Sequence, residues 1–250
     1  MNLLLLPGLM CDHSAWQPLF AHWQAGRYKV VVADYGAANS LPVMASTAVL
    51  QAQAAWGSAP FAVLGHSMGG RVALELVRAH SASVTHLGLF STGCTAVAAG
   101  EVGAREIEGR MALLNIARTQ SVRVMAIEWA QAMVASNRLD DIAFMSRIYD
   151  MMARKTADIF AAQINALIHR ADTSEVIRQA HIPILFLTGQ HDGWANAAQH
   201  QAMFDLCSKT NLNAELLVIE GAGHMVTMEA PAVTAGVIDG FLQKRRLAST

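Results

Sequence analysis

The stretch FAVLGHSMGGRVALELVRAH, residues 61–80, decides how the chain is read. It opens on the apolar run FAVL, bounded by glycine, which is the pattern of a strand buried on both faces. It closes on RVALELVRAH, whose apolar residues recur at helical spacing. Between the two, GHSMGG places Ser67 beside Gly65, Gly69 and Gly70 at the point where strand turns directly into helix. The segment G-H-S-M-G satisfies G-x-S-x-G, and the strand before it and helix after it are the context that gives this motif meaning. A serine at so sharp a turn is forced into strained backbone, while Gly65 and Gly69 leave room for neighbouring chain, so that the hydroxyl is carried above the sheet. The helix N-terminus faces the same spot and makes the Met68 amide a candidate donor to an oxyanion.

On either side of this stretch, further short apolar runs bounded by turn residues occur at NLLLLP (2–7), YKVVVAD (28–34) and THLGLFS (85–91). Helical spacing lies between them, at residues 14–25, 41–56 and 70–80. Strand and helix in regular alternation predict a parallel sheet with right-handed crossovers. From about residue 95 to 180 no strand is legible, and helices are expected over 101–117, 121–136, 140–154 and 157–169. The strand rhythm returns at IPILFLTG (182–189) and AELLVIEG (214–221), with a last helix over 231–245. The expected fold is α/β, a mostly parallel sheet of about six strands flanked by helices. Residues 1–95 and 178–250 would form the core and 96–177 an inserted helical cap.

A serine hydroxyl used as a nucleophile needs a base, and the base needs an orienting acid. Of the ten histidines, His224 stands out because it follows GAG after the last expected strand, where loops of parallel sheets meet ligands. His80, His169 and His200 read as solvated or partly buried helix residues, and His22 and His86 as packing or surface residues. PILFLTGQHDGW places Asp192 just beyond another strand, in reach of a histidine Nδ1. Asp34, Asp205 and Asp239 are weaker candidates. The chain order is then Ser67, Asp192, His224, which differs from the orders of chymotrypsin and subtilisin.

Through LLLLPGLMCDHSAW, GHSMGGRVALEL, PILFLTGQHDGW and GAGHMVTMEAP the chain resembles the α/β-hydrolase fold enzymes of the capped serine esterase type. The likeness covers both ends of the chain and only loosely its middle. It implies that Leu9, after Pro7-Gly8, supplies the second oxyanion-hole amide beside that of Met68. Pro7 stands where many relatives carry histidine, a departure that leaves a backbone donor intact. The resemblance further implies a cofactor-free, metal-free hydrolase that cleaves a carboxylic ester through an acyl-enzyme. Thioester and C–C bond hydrolysis share this machinery, and several receptors of the fold keep all three residues with little turnover.

A formal charge of −1 with only 15% charged residues gives no basic excess of the kind that neutralises nucleic-acid phosphates. No apolar run approaches the ~20 residues that span a bilayer, and the N-terminus has no basic segment of a signal peptide. Cytoplasmic residence, without membrane association, is the expectation. Cys11, Cys94 and Cys207 are odd in number and widely spaced, so they read as reduced packing residues.

For the substrate pocket the candidates are His13, Met111, Met125, Trp129, Met133, Met145, Trp194 and Met225. Methionine adapts to irregular apolar shapes, and a partly apolar small-molecule ester or acyl substrate follows. Ser14-x-x-Gln17 reads as a capping box and Trp16 as core. Arg105, Arg110, Arg118, Arg123, Arg138, Arg147, Arg154 and Lys155 make the cap mildly basic. Some relatives dock acyl-carrier proteins through cap arginines, but charges so scattered read as solvated helix faces, which leaves a carrier partner unsupported and the oligomeric state unassigned.

Overall fold

The computed structural model describes residues 1–209 and 211–244. Strands β1 (Asn2–Leu6), β2 (Lys29–Val32), β3 (Phe61–His66), β4 (Val84–Phe90), β5 (Ile184–Gly189) and β6 (Ala214–Ile219) form one sheet in the order β2-β1-β3-β4-β5-β6, with every neighbouring pair parallel. The inner strands β1, β3, β4 and β5 are almost wholly buried, as their unbroken apolar runs require. The two edge strands are less covered: β2, whose apolar run reads as buried on both faces, is half-buried, and β6 leaves Leu217 and Val218 exposed.

The helices are α1 (Gln17–Phe20), α2 (Leu41–Trp56), α3 (Met68–His80), α4 (Glu101–Thr119), α5 (Val122–Ala130), α6 (Ile142–Ala153), α7 (Ala157–Ile168), α8 (Ser174–Gln179), α9 (Ala197–Asp205), α10 (Val226–Glu229) and α11 (Pro231–Leu242). Helices α4 to α7 lie between β4 and β5 and form the cap. The short helices α8 and α10 carry too few turns to show a period, and spacing does not reveal them. The last helix ends at Leu242, and the expected end at residue 245 lies outside the described residues. The helix expected over 14–25 is reduced to a 3-10 turn, His13–Ala15, and the four residues of α1. Ser14 forms no capping box: Asp12 caps the turn by accepting from the Ser14 N–H, and the Ser14 hydroxyl accepts from Arg154. Trp16 is core, fully buried with its ring 5.9 Å from that of Phe90.

From β1 the chain passes outward to β2 on one side and later to β3 on the other, so the crossover direction reverses between β1 and β3. Such a switch point opens a crevice at the carboxyl ends of the strands. The loops after β1, β3, β5 and β6 all leave the sheet on that edge, and the cap lies over them. Among the described residues no helix is long and apolar enough to cross a membrane.

Candidate active site

Ser67 sits between β3 and α3 with φ 54° and ψ −119°, left-handed backbone that a side chain rarely adopts. The strain is held in place from several sides. The Ser67 N–H donates to the Phe90 carbonyl (2.8 Å), and the Ser67 carbonyl accepts from the Thr92 hydroxyl (2.6 Å) and the Gly70 N–H (3.0 Å). A Cβ on Gly65 would overlap the Gly69 carbonyl, and one on Gly69 the Leu6 carbonyl, so helix, elbow and β1 meet at van der Waals contact only because both residues are glycine.

His224 and Asp192 arrive from the ends of β6 and β5. The Ser67 Oγ lies 2.9 Å from His224 Nε2, and His224 Nδ1 lies 2.9 Å from Asp192 Oδ2. An ionised carboxylate only accepts, so Nδ1 carries the proton, Nε2 is the lone-pair nitrogen, and the serine hydroxyl donates to it. Asp192 is buried, which by itself would raise its pKa; the hydrogen bond from His224 and those from the N–H groups of Ala195 and Trp194 outweigh this and hold the carboxyl well below its usual range. Thr188 donates to the same Oδ2 at 3.3 Å.

Leu9 and Met68, expected to offer backbone amides, border the same space. Met68 opens α3, where its N–H has no intrahelical acceptor. Leu9 lies in a turn closed by the Cys11 N–H on the Gly8 carbonyl (3.1 Å), with Met10 at φ 60°. A side chain on Gly8 would stand 3.2 Å from the Ser67 Cβ, so this turn is packed against the elbow. Among the described residues neither the Leu9 nor the Met68 N–H donates to a protein acceptor.

A cavity of about 890 Å³ opens over these groups, lined by Leu9, Ser67, Met68 and His224. Trp129, Met133 and Trp194 line it as expected. The Trp194 ring stands edge-on to His224 at 5.0 Å and stacks on Trp129 of the cap at 5.6 Å, an aromatic wall beside the imidazole. The other pocket candidates lie outside the lining. Met125 and Met145 are buried in the cap's own core, where α5 packs on α6. Met225 is turned into the main core, Met111 is 46% exposed on α4, and the His13 side chain is 63% exposed beside Asp12. Helical spacing shows that one face is covered; it does not distinguish a neighbouring helix from a cavity.

Several residues around the site escaped sequence reading. Glu229, inside the quoted GAGHMVTMEAP, accepts from the N–H groups of Gly223, Met225 and Ala135 at 2.8–2.9 Å, bracketing His224 and reaching the cap. Gln163 of α7 accepts from the Met10 N–H at 2.8 Å. His66 is buried, and its Nε2 donates to the His224 carbonyl at 2.8 Å; burial, and then the neighbouring His224, push its pKa down to about 3. His200, read as at least partly solvated, is fully buried: its Nε2 accepts from the Thr92 N–H, its Nδ1 donates to the Asn196 carbonyl, and burial pushes it down to about 4. Arg154, exposed as expected, nevertheless clamps Asp12 and Ser14 of the core, whereas Arg110 is half-buried and borders the cavity. Among the described residues no group of three His, Cys, Asp or Glu is placed to hold a metal ion.

Solved structures of similar fold cover nearly the whole chain. A thermophilic esterase from Thermogutta terrifontis superposes with TM-score 0.84 at 20% identity, over 98% of this chain and 90% of its own. The enol-lactonase from Burkholderia xenovorans gives 0.82 at 18% identity over 97% and 91%, and a bromoperoxidase from Bacillus anthracis 0.83 at 14% over 97% and 92%. A search of curated proteins finds no significant match. The profile of the alpha/beta hydrolase family matches residues 3–237, from the first leucine of β1 to the last helix, and on that match the chain belongs to the alpha/beta hydrolase family.

Proposed function

We propose that the protein is a serine hydrolase that cleaves a carboxylic ester through an acyl-enzyme. The observation that carries this reading is the unbroken line from Asp192 Oδ2 through His224 to the Ser67 Oγ, each contact 2.9 Å, ending beneath two unused amides. The esterase and the enol-lactonase of like fold support it, since a lactone is a cyclic ester.

In the forward step the Ser67 Oγ attacks the ester carbonyl and its proton passes to His224 Nε2. The carbonyl oxygen becomes an oxyanion that accepts from the Leu9 and Met68 amides, donors fixed by their turn and helix before the substrate arrives. Asp192 stabilises the imidazolium without taking its proton. Collapse breaks the bond to the alcohol oxygen, which leaves with the proton from Nε2. Water then gives a proton to Nε2, attacks the acyl carbon and releases the acid as Ser67 recovers its hydrogen. Trp129, Met133 and Trp194 provide an apolar wall for the substrate and limit water around the base.

The test is hydrolysis of 4-nitrophenyl esters by the native protein and by Ser67→Ala. Loss of the nucleophile should lower kcat on the order of 10⁶-fold where chemistry limits. Equal rates would overturn the assignment.

A further inference from the structure

Past the reacting groups the cavity runs along α3 into a cluster of charges that ester cleavage leaves unused. Arg71 stands one helical turn beyond Ser67, roughly 6 Å along the axis, and lines the same cavity. Its Nη1 donates to the Thr95 carbonyl at 2.8 Å. Among the described residues its Nε and Nη2 donors have no acceptor, and no carboxylate lies within ion-pair distance. The carboxylate one turn further along, Glu75, is paired with Arg78 instead.

The neighbours add positive charge. Glu106 of α4 accepts from both Nη atoms of Arg170 and from Nε and Nη2 of Arg110 at 2.5–3.2 Å. Hydrogen bonds from Arg170, followed by those of Arg110, hold the Glu106 carboxyl down to about 2 despite burial. Two guanidiniums thus share one carboxylate, and Arg71 adds a third positive charge beside them. Burial, then the charge of Arg170, push the Arg71 guanidinium down to about 9. A cation desolvated without a counter-ion costs free energy, which an anion placed against it recovers. The free Nε and Nη2 share one edge of the guanidinium, the edge that grips a carboxylate with two parallel hydrogen bonds.

We propose that Arg71, with Arg110 and Arg170 behind it, is a subsite for a carboxylate on the substrate, so that the preferred substrates are half-esters of short dicarboxylic acids. The ester carbonyl sits at Ser67 and the free carboxylate of the acyl chain at Arg71. This specificity rests on Ser67 being the nucleophile.

The experiment compares mono-4-nitrophenyl glutarate with neutral 4-nitrophenyl butyrate on the native protein, Arg71→Met and Arg71→Lys. The native enzyme should favour the charged ester by at least about tenfold in kcat/KM, chiefly through KM. The ratio should collapse in Arg71→Met and recover in part in Arg71→Lys. A native preference for the neutral ester, or a preference that survives Arg71→Met, overturns the subsite. A binding arm separates this from failure of the nucleophile: glutarate should raise the melting temperature of Ser67→Ala and leave that of Ser67→Ala combined with Arg71→Met unmoved. If neither ester is cleaved, the hydrolase reading fails while this arm still decides the subsite; equal shifts in both proteins overturn it. Since Arg71 has no carboxylate partner, Arg71→Met without ligand should melt no lower than native. A large drop would make the side chain structural and also overturn the proposal.

Discussion

The main-chain N–H of His224 donates to the Met133 carbonyl at 2.8 Å, tying the loop after β6 to the cap. Glu229 strengthens the same seam, because its carboxylate holds Gly223 and Met225 on one side and Ala135 on the other. Glu229→Ala would leave three N–H groups without this acceptor. It should cost roughly 2–4 kcal/mol in stability and lower kcat with the ester, because the ring of His224 loses its frame. Urea unfolding and steady-state kinetics on the same preparation check this; native values for both would show that the seam holds without the carboxylate.

Asp192→Asn removes the charge that selects the histidine tautomer while keeping the side chain's shape. The expected loss is about 10⁴-fold in kcat with the fold retained, and circular dichroism alongside the assay separates the two. Near-native turnover would mean that another group orients His224.

The elbow makes a steric prediction. Gly69→Ala drives a methyl into the Leu6 carbonyl and should cost at least about 3 kcal/mol or prevent folding. Gly236→Ala, in α11 with nothing within reach of the new methyl, should stabilise by about 0.4–1 kcal/mol. Thermal unfolding of the two variants measures both, and similar effects would contradict the close approach of β1 to the elbow.

His66 and His200 set a pH dependence of stability. Burial lowers their folded pKa values to about 3 and about 4, against 6.5 for the free side chain. A base with a depressed pKa binds more protons when unfolded, so its contribution is complete above pH 6.5 and is lost as pH falls toward those values. At about pH 5 the loss should be on the order of 2 kcal/mol per histidine. Denaturant midpoints at about pH 7.5 and about pH 5 give the comparison, and an unchanged midpoint would contradict two histidines buried in neutral form.

The inner strands, the elbow and the cap helices were legible because each announces itself locally, through an unbroken apolar run, a glycine-flanked serine or a helical period. Ser67, Asp192 and His224 could be put in order from strand ends alone. Pocket residues could not: Met125 and Met145 carry the same periodic signal whether they face another helix or a cavity. Glu229, Gln163 and Arg170 act across chain separations that no local pattern records. Arg71 did leave a signal, as a charge one turn after the elbow serine on a helix otherwise buried there, but its meaning depends on Glu106 and Arg170 arriving from the cap.

The hydrogen bond from the Met10 N–H to Gln163 matters to anyone redesigning this protein. Together with the Met133 carbonyl and the Ala135 amide, it makes the lid a structural parent of the chemistry beneath it. Grafting a foreign lid between β4 and β5 to change selectivity would therefore not be a modular exchange. A transplant that omits these three anchors should arrive with its new pocket intact and its catalytic loops misaligned, so library designs should hold them fixed and vary the cavity-facing positions around them.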